Sequence, residues 1–275
     1  MEGRQGSDET LNSLVEIQQK LRKKLITKDD FPWKLPAKAS SPSSSSSMQA
    51  EKGEEVLKYV GGVDMSFSKQ DPSVACGYLV ILELPSLRVV YEDCSLVKLR
   101  VPYVPGFLAF REAPVLLPLL DKMKKNQNPF YPQVLLVDGN GLLHPRGFGL
   151  ACHIGVMANL PSIGIGKNLH HVDGLTQSGV RELLKAQENK VEDLINLTGD
   201  SGFIWGVAMR STQGSLKPIF VSVGHRVSIY TAVVIVKMTC KHRVPEPIRQ
   251  ADIRSRDYLQ KHQMSVLGGW DCSEA

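Results

Sequence analysis

Short apolar runs recur along this chain from Val56 to Val236, and their order limits the folds that it can adopt. The first three runs, at residues 57–67, 74–84 and 87–99, are separated only by short polar or proline-containing connections, which is typical of sequential antiparallel strands. Later strand-like runs alternate with segments of helical character. These later runs lie at residues 133–139, 162–166, 203–210 and 218–224. This order predicts an α/β domain with a mixed β-sheet flanked by helices.

Four helices are expected among these strands, at residues 106–124, 147–158, 177–189 and 227–241. The first contains Pro114 and Pro118, which should bend or break it because proline lacks the N–H that a helix interior uses. The last runs into residues 237–262, where seven Lys or Arg stand against three Asp or Glu. This local excess favours a phosphate-backbone partner, and a solvated basic tail is the alternative.

The N-terminal part of the chain differs in composition from the rest. Residues 1–55 carry nine basic and nine acidic residues, so the formal net charge of +5 belongs entirely to residues 56–275. Apolar residues within 8–27 have the spacing of one helix face; they are Leu11, Leu14, Ile17, Leu21 and Leu25. The serine-rich residues 36–50 can bury too little apolar surface to become ordered. We therefore expect an N-terminal helix and flexible linker (1–55), one folded domain (56–262) and a C-terminal tail (263–275).

The compartment follows from what the sequence does not contain. No stretch approaches the roughly 18 consecutive apolar residues of a spanning helix, and the polar N-terminus is unlike a secretory signal, so no membrane partner is expected. The cysteines are odd in number and widely spaced, which favours a reducing compartment; they are Cys76, Cys94, Cys152, Cys240 and Cys272. We expect the cytoplasm, the nucleus or both, with the nucleolus as a further option.

Acidic residues inside apolar strands are the clearest chemical signal. Asp64 lies within VGGVDMSF, and Asp138 follows four apolar residues, although an aspartate before glycine is also a common turn residue. Two neighbouring strand carboxylates would repel each other unless a divalent cation neutralised them, and Mg²⁺ suits such oxygen ligands. A third acid, Glu112, ends the run PYVPGFLAFRE, where a surface position on a helix is the alternative.

Two cationic residues follow apolar strands in the same way. Lys167 comes after SIGIG and His225 after VSVG, where a lysine and a histidine could stabilise developing charge or handle a proton. The alternatives are a surface lysine with a buried stem, and a turn histidine hydrogen-bonded to the backbone.

The segment PYVPG (102–106) places an aromatic residue between two prolines. Such a loop is stiff, so Tyr103 could wedge into a stack of bases, or it could pack on the core instead. The glycine-rich turn that begins at Gly139 leaves backbone N–H groups accessible to a base edge or a phosphate. No nucleoside-triphosphate or dinucleotide motif is present.

Five blocks in this order resemble the endonuclease V family: VGGVDMSF, PYVPGFLAFRE, VLLVDGNGLLHPRGFGLACHIGV, PSIGIGKNL and VSVGHR. The resemblance runs from about residue 56 to Asp252. It implies a ribonuclease H-like fold and a Mg²⁺-dependent nuclease, with Mn²⁺ as an alternative metal. It further implies recognition of hypoxanthine and hydrolysis one nucleotide 3′ of inosine, leaving a 3′-hydroxyl and a 5′-phosphate.

The resemblance also implies roles for individual residues. The catalytic set is Asp64, Glu112, Asp138, Lys167 and His225, in which the three acids hold the metal. The strand-separating wedge is Pro102, Tyr103, Val104 and Pro105. Contacts to the extruded base come from Gly106, Leu108 and Gly149, with Gly139 as a further candidate from its turn. His144, His153 and Asp252 are expected just behind the site.

A further block, PEPI at residues 245–248, and the basic tail resemble the eukaryotic members of the family. Inosine-containing RNA is therefore the first choice of substrate, and DNA is the second. We expect a monomer. A protein that binds inosine-containing RNA without cleaving it is the main alternative function. A Mg²⁺-dependent phosphoryl-transfer enzyme for a small molecule is a weaker one, because the local basic excess disfavours it.

Overall fold

The computed structural model describes residues 2–36, 55–186, 194–212 and 217–267. In these ranges the helices are α1 (Glu2–Arg22), α2 (Leu108–Lys125), α3 (Leu150–Ala158), α4 (Gln177–Ala186), α5 (Ile229–Thr239) and α6 (Glu246–Leu267). The strands are β1 (Trp33–Lys34), β2 (Glu55–Val56), β3 (Tyr59–Phe67), β4 (Val74–Glu83), β5 (Arg88–Lys98), β6 (Val134–Asp138), β7 (Ser162–Gly166), β8 (Leu194–Thr198), β9 (Ile204–Met209) and β10 (Ile219–His225). No helix in these ranges is long and apolar enough to cross a membrane.

Eight strands form one mixed sheet in the order β5-β4-β3-β6-β7-β10-β9-β8. The first three strands of the sheet along the chain pair antiparallel, β6 and β7 add parallel to β3, and β10 and β9 follow antiparallel. The predicted mixed sheet flanked by helices is therefore confirmed. β1 and β2 form a separate, short parallel pair.

Helices cover both faces of the sheet. On one face, α5 and α6 pack over a cluster of buried residues that includes Val60, Leu136 and Val221. On the other face, α2 and α3 pack over a cluster that includes Val63 and Leu135. Because side chains alternate along a strand, β3 and β6 contribute neighbouring residues to opposite clusters.

α2 corrects one expectation, because it runs unbroken through Pro114 and Pro118. Both prolines lie on its exposed side, where water can reach the carbonyl groups that lose a helical partner. The opposite side buries Leu116 and Leu120 against the sheet, which offsets the cost of the lost hydrogen bonds.

The basic segment 237–262 is not a solvated tail, because most of it belongs to α6. The helix packs on β3 and β4, and it continues past residue 262, where we expected the domain to end. Its buried residues include Ile248, Ala251, Ser255 and Leu259. β8 is a second element that the sequence did not indicate.

The N-terminal residues lie against the folded domain. α1 begins and ends earlier than the expected helix at 8–27, and it packs against α3. Beyond it, Phe31 stacks on the buried Trp33 with 3.7 Å between the ring centroids. The predicted serine-rich linker falls mainly on residues 37–54, which lie outside the described ranges.

Candidate active site

The pairing of β3 with β6 brings the two strand aspartates together. The parallel register aligns Val63 with Val137, so Asp64 and Asp138 follow directly on neighbouring strands. Both side chains emerge on the face covered by α6, as shown by Ser66 two residues along, whose Oγ lies 2.7 Å from Oγ of Ser255. The central prediction from the sequence, that these carboxylates are adjacent, is confirmed.

The environment of Asp64 strongly disfavours its charge. The side chain is only 7% exposed. Burial, followed by the negative charge of Asp138, raises its pKa from 3.8 to about 9. Asp64 is therefore protonated at neutral pH unless a further cation balances its charge. A buried and a half-buried carboxylate side by side form a donor set that a divalent cation fits.

Lys167, which follows β7, completes the charge balance. Its Nζ donates a hydrogen bond to Oδ2 of Asp138 at 2.6 Å. Burial opposes the charged form of Lys167, but the negative charges of Asp138, Asp64 and Asp252 outweigh burial and raise the pKa of the lysine. The lysine is thus held protonated beside the carboxylates, a position from which it could stabilise negative charge.

Asp252 lies closer to this centre than expected. It is carried by α6 and lines the same cleft, of about 760 Å³, as Asp64, Asp138 and Lys167. Its negative charge contributes to the raised pKa of Asp64. Its carboxylate also accepts two hydrogen bonds from Arg256, one of them at 2.6 Å to Oδ2. The residue faces the cleft directly rather than lying behind it.

Glu112 reaches the centre from the other face of the sheet. It is buried on α2, and burial, followed by the charge of Asp138, raises its pKa to about 7. The predicted trio of Asp64, Asp138 and Glu112 does not form a three-ligand cluster: within the part of the chain that the structure describes, no three His, Cys, Asp or Glu side chains are arranged to hold a metal ion. The reason is that Asp64 and Asp138 emerge on the face of the sheet covered by α6, whereas Glu112 belongs to α2, which covers the opposite face.

His225 is the prediction that the structure contradicts. β10 is antiparallel to β7, so His225 pairs with Ser162 at the start of β7, whereas Lys167 follows its end. The histidine thus lies at the opposite end of the strands from the aspartates. Its Nδ1 accepts a hydrogen bond from the backbone N–H of Ile26 at 3.3 Å, and burial lowers its pKa to about 4. His225 is a buried, neutral residue of the scaffold, which matches the alternative of a turn histidine bonded to the backbone.

A smaller pocket of about 130 Å³ adjoins the acidic centre through Gly139, the residue after Asp138. The predicted substrate-binding residues that line it are Tyr103, Gly106, Leu108, Gly139 and Gly149. Tyr103 is 58% exposed, so it does not pack on the core. Pro102 and Pro105 are exposed beside it, and Val104 is half-buried. The five predicted pocket residues thus come together at the base of a projecting aromatic loop.

Close backbone approach shapes the floor of this pocket. At Gly149, a Cβ atom would lie 2.2 Å from the carbonyl oxygen of Asn140, so no side chain is possible there. Gly106, at the end of the projecting loop, has a φ of 82°, in the left-handed region that glycine adopts easily.

The two predicted histidines behave differently. His144 lines the pocket, and its Nδ1 accepts a hydrogen bond from the N–H of Arg146 at 3.1 Å. His153 lies behind the pocket with its ring edge-on to Phe110, and its Nδ1 has no hydrogen-bond partner. Burial lowers the pKa of both histidines to about 4, so both are neutral at physiological pH.

The sequence did not indicate several residues that line the pocket: Gln18, Ala109, Asn140, Phe148, Leu150 and His170. Asn140 is nearly buried, and its Oδ1 has no partner. Gln18 carried a signal that could have found it. It interrupts the apolar spacing of Leu14, Leu21 and Leu25 with a polar residue, which is costly unless that residue is hydrogen-bonded.

A mixed sheet that carries paired carboxylates and a lysine in one cleft, beside a small pocket, defines an α/β enzyme with an acidic active site. The family model described as Endonuclease V matches residues 43–253. The chain therefore belongs to the endonuclease V family and is an endonuclease, a hydrolase of phosphodiester bonds.

Individual relatives agree with this assignment. The chain is 44% identical to Endonuclease V of Mus musculus, over 92% of this chain and 71% of the mouse protein. It is 43% identical to the Homo sapiens protein, over 92% of this chain and 85% of the human one. The crystal structure of the human catalytic domain superposes with a TM-score of 0.81 at 42% identity, covering 93% of this chain and 98% of that one.

A further relative was crystallised with nucleic acid. Endonuclease V of Ciona intestinalis, in complex with a 24mer DNA containing an inosine followed by a ribo-adenosine, matches with a TM-score of 0.79 at 34% identity. That match covers 92% of this chain and 99% of the Ciona chain.

Proposed function

We propose that this chain is a Mg²⁺-dependent endonuclease that recognises inosine and hydrolyses the phosphodiester one nucleotide to its 3′ side. The products would be a 3′-hydroxyl and a 5′-phosphate. Single-stranded RNA is the first choice of substrate, and deaminated DNA is the second. The observation that carries the proposal is the adjacency of the Asp64–Asp138 pair to the small pocket below Tyr103. The Ciona relative bound to inosine-containing DNA supports it.

Asp64 and Asp138 would hold the cation, since their combined environment favours a positive partner. Mg²⁺ or Mn²⁺ would supply charge neutralisation at the phosphate and a more acidic water. Lys167 holds Asp138 in place and provides a fixed positive charge for the developing negative charge of the phosphate. Asp252 faces the same cleft, where it can orient a water or accept a proton.

Base recognition would use the small pocket and the projecting loop. Tyr103 would insert beside the target and support the unstacked neighbours, while Gly106 and Gly149 leave room for the base against the backbone. Extrusion costs a few kcal/mol and least in unpaired strands, which favours single-stranded substrates. Gly139 lines the pocket and directly follows Asp138, so the bond to be cut would lie near the bound base.

Matched oligonucleotides test the proposal directly. Single-stranded RNA and DNA that contain one inosine, or adenosine in its place, are incubated with the protein in Mg²⁺, in Mn²⁺ and in EDTA. We expect one cut, one nucleotide 3′ of inosine, that requires the metal and is faster on RNA. Cleavage of the adenosine control at the same rate, or cleavage in EDTA, would contradict the proposal.

The alternative, an inosine-RNA-binding protein without cleavage, is separated by the same experiment. Such a protein would retain the labelled inosine oligonucleotide in a mobility shift and leave it intact in every metal. The intact Asp64–Asp138 pair with Lys167 on Asp138 favours the enzyme, because a binder has no need of a buried, unstable acidic pair.

A further inference from the structure

We propose that Gln18 of α1 is a positioning residue for the small pocket and for the loop that carries Tyr103. Gln18 is only 3% exposed, although it belongs to a helix at the edge of the domain. The inference rests on the proposed function, because it assigns this pocket to the base. It concerns a helix that lies outside the five blocks that resemble the family.

The amide of Gln18 joins two separate segments of the pocket. Its Nε2 donates hydrogen bonds to the carbonyl oxygen of Phe148 at 2.9 Å and to that of Gly106 at 3.3 Å. Its Oε1 accepts a hydrogen bond from Nε of Arg146. The side chain thus uses both of its N–H donors and its acceptor at the same time.

The two segments form opposite parts of the same pocket. Gly106 closes the loop that begins with Tyr103, and Phe148 precedes the N-terminus of α3. Arg146 strengthens the link, because its guanidinium lies over the ring of Phe107 at 5.0 Å. Arg22, one helical turn after Gln18, lies close to the turn at Gly147. α1 therefore bridges the two sides of the pocket through Gln18.

This bridge has a consequence for binding. A loop that must become ordered when a base enters loses conformational entropy at that moment, and binding weakens accordingly. By fixing Gly106 and Phe148 beforehand, Gln18 would keep the pocket open and Tyr103 outward before the substrate arrives. Its removal would also leave two shielded carbonyl groups with one partner fewer.

The test uses Gln18→Met, which keeps the length of the side chain and removes its hydrogen bonds, and Gln18→Glu, which keeps only the acceptor. Gln19→Ala is the matched control, because Gln19 is the exposed neighbour on the same helix. Single-turnover cleavage is measured against enzyme concentration with the inosine oligonucleotide. The affinity of the adenosine oligonucleotide is measured by competition.

For both Gln18 variants we expect the half-saturating concentration for the inosine substrate to rise about tenfold, the equivalent of one to two hydrogen bonds. The maximal rate should stay within about twofold, and the affinity for the adenosine oligonucleotide should not change. Gln19→Ala should match the unmodified protein. Equal losses for both oligonucleotides, or a loss of maximal rate alone, would overturn the assignment.

Hydrogen exchange provides a readout that does not depend on activity. Gln18→Met should accelerate exchange of the amides at residues 104–108 and 144–149, and Gln19→Ala should not. Unchanged exchange in Gln18→Met overturns the positioning role even if cleavage is affected. If the unmodified protein fails to cleave inosine oligonucleotides, the proposed function is contradicted, whereas the exchange result still decides whether Gln18 orders these two segments.

Discussion

Asp64 shows how the surroundings of one side chain set both activity and stability. Its carboxyl group is buried beside Asp138, and the combined effect raises its pKa from 3.8 to about 9. Between about pH 4 and pH 9, the folded protein therefore binds one more proton at Asp64 than the unfolded chain does. Such a residue is costly for the fold, and the cation proposed for this site would offset that cost.

The first prediction concerns the pH dependence of stability in EDTA. Because the pKa of Asp64 is raised on folding, the contribution of this residue to the free energy of unfolding is fully present below about pH 4 and is lost as the pH rises towards about 9. The melting temperature in EDTA should fall across this range, and saturating Mg²⁺ should reduce the fall. In EDTA at pH 8, Asp64→Asn should melt at a higher temperature than the unmodified protein, because its free energy of unfolding should be larger by about 1 kcal/mol or more. The same variant should cleave about 10³-fold more slowly.

Differential scanning fluorimetry from pH 5 to pH 9 checks this prediction. Asp121→Asn, a change at an exposed position of α2, is the matched control and should follow the unmodified protein. An Asp64→Asn variant that melts lower than the unmodified protein at pH 8 would refute the argument from burial.

The second prediction separates Lys167 from His225. Lys167→Met removes the cation on Asp138 and should reduce cleavage by about 10²-fold or more, with little loss of melting temperature. His225→Gln alters a buried contact with the backbone of Ile26, so it should lower the melting temperature and leave cleavage by the folded protein within about twofold. Cleavage rates below the melting point of each variant decide. A large loss of rate in a well-folded His225→Gln would restore the histidine to the site.

α6 is the element on which the shape of the cleft depends most. It lies so close to β3 that a Cβ atom at Gly62 would be 2.2 Å from the carbonyl oxygen of Pro247. This close approach brings Asp252 over the ends of β3 and β6. The buried side of the helix contains the small residues Ala251 and Ser255, since larger side chains would hold it away from the sheet.

The third prediction follows from this contact. Gly62→Ala should displace the start of α6, cost about 1–3 kcal/mol and lower the melting temperature by about 2–4 °C for each kcal/mol. Cleavage should fall as well, because Asp252 would move with the helix. Gly179→Ala on α4 is the matched control, since its Cβ would meet only Oγ1 of Thr176, at 3.2 Å. A Gly62→Ala variant as stable and active as the control would show that the close approach is not needed.

The elements also show why prediction from sequence succeeded in some places and failed in others. β3 and β6 were predictable, because long apolar runs interrupted by one carboxylate leave few alternatives for Asp64 and Asp138. α6 was harder to predict, because the small Ala251 and the polar Ser255 weaken the apolar spacing between Ile248 and Leu259 on its buried side. The error at His225 has a different cause: a strand pattern does not reveal the direction of the strand in the sheet, and β10 runs antiparallel to β7.

At the scale of the whole molecule, the net charge favours a nucleic-acid substrate over a small-molecule substrate. The formal net charge is +5, and the acidic cleft is also lined by Lys69, Lys167 and Arg256, the last paired with Asp252. A polyanion would be attracted by the net positive charge, while the carboxylates would bind it only where a cation intervenes.

The fourth prediction is a steep salt dependence. A single strand that contacts three phosphates should bind with a slope of about −2 in log affinity against log salt, so affinity should fall roughly tenfold or more between 50 and 200 mM. Fluorescence anisotropy with a labelled inosine oligonucleotide measures it. A flat dependence would favour the small-molecule alternative and would contradict a nucleic-acid substrate.

The segment after α1 is fastened far from the catalytic cleft. Asp29 accepts hydrogen bonds from the N–H of Ser228, at 2.6 Å, and from the hydroxyl of Thr231, at 2.7 Å. Its partners are 199 and 202 residues further along the chain. During translation Asp29 stays without these partners until Ser228 and Thr231 have left the ribosome. Contacts of such high sequence separation form slowly, so the hydrogen bonds of Asp29 to Ser228 and Thr231 are expected to form among the last steps of folding.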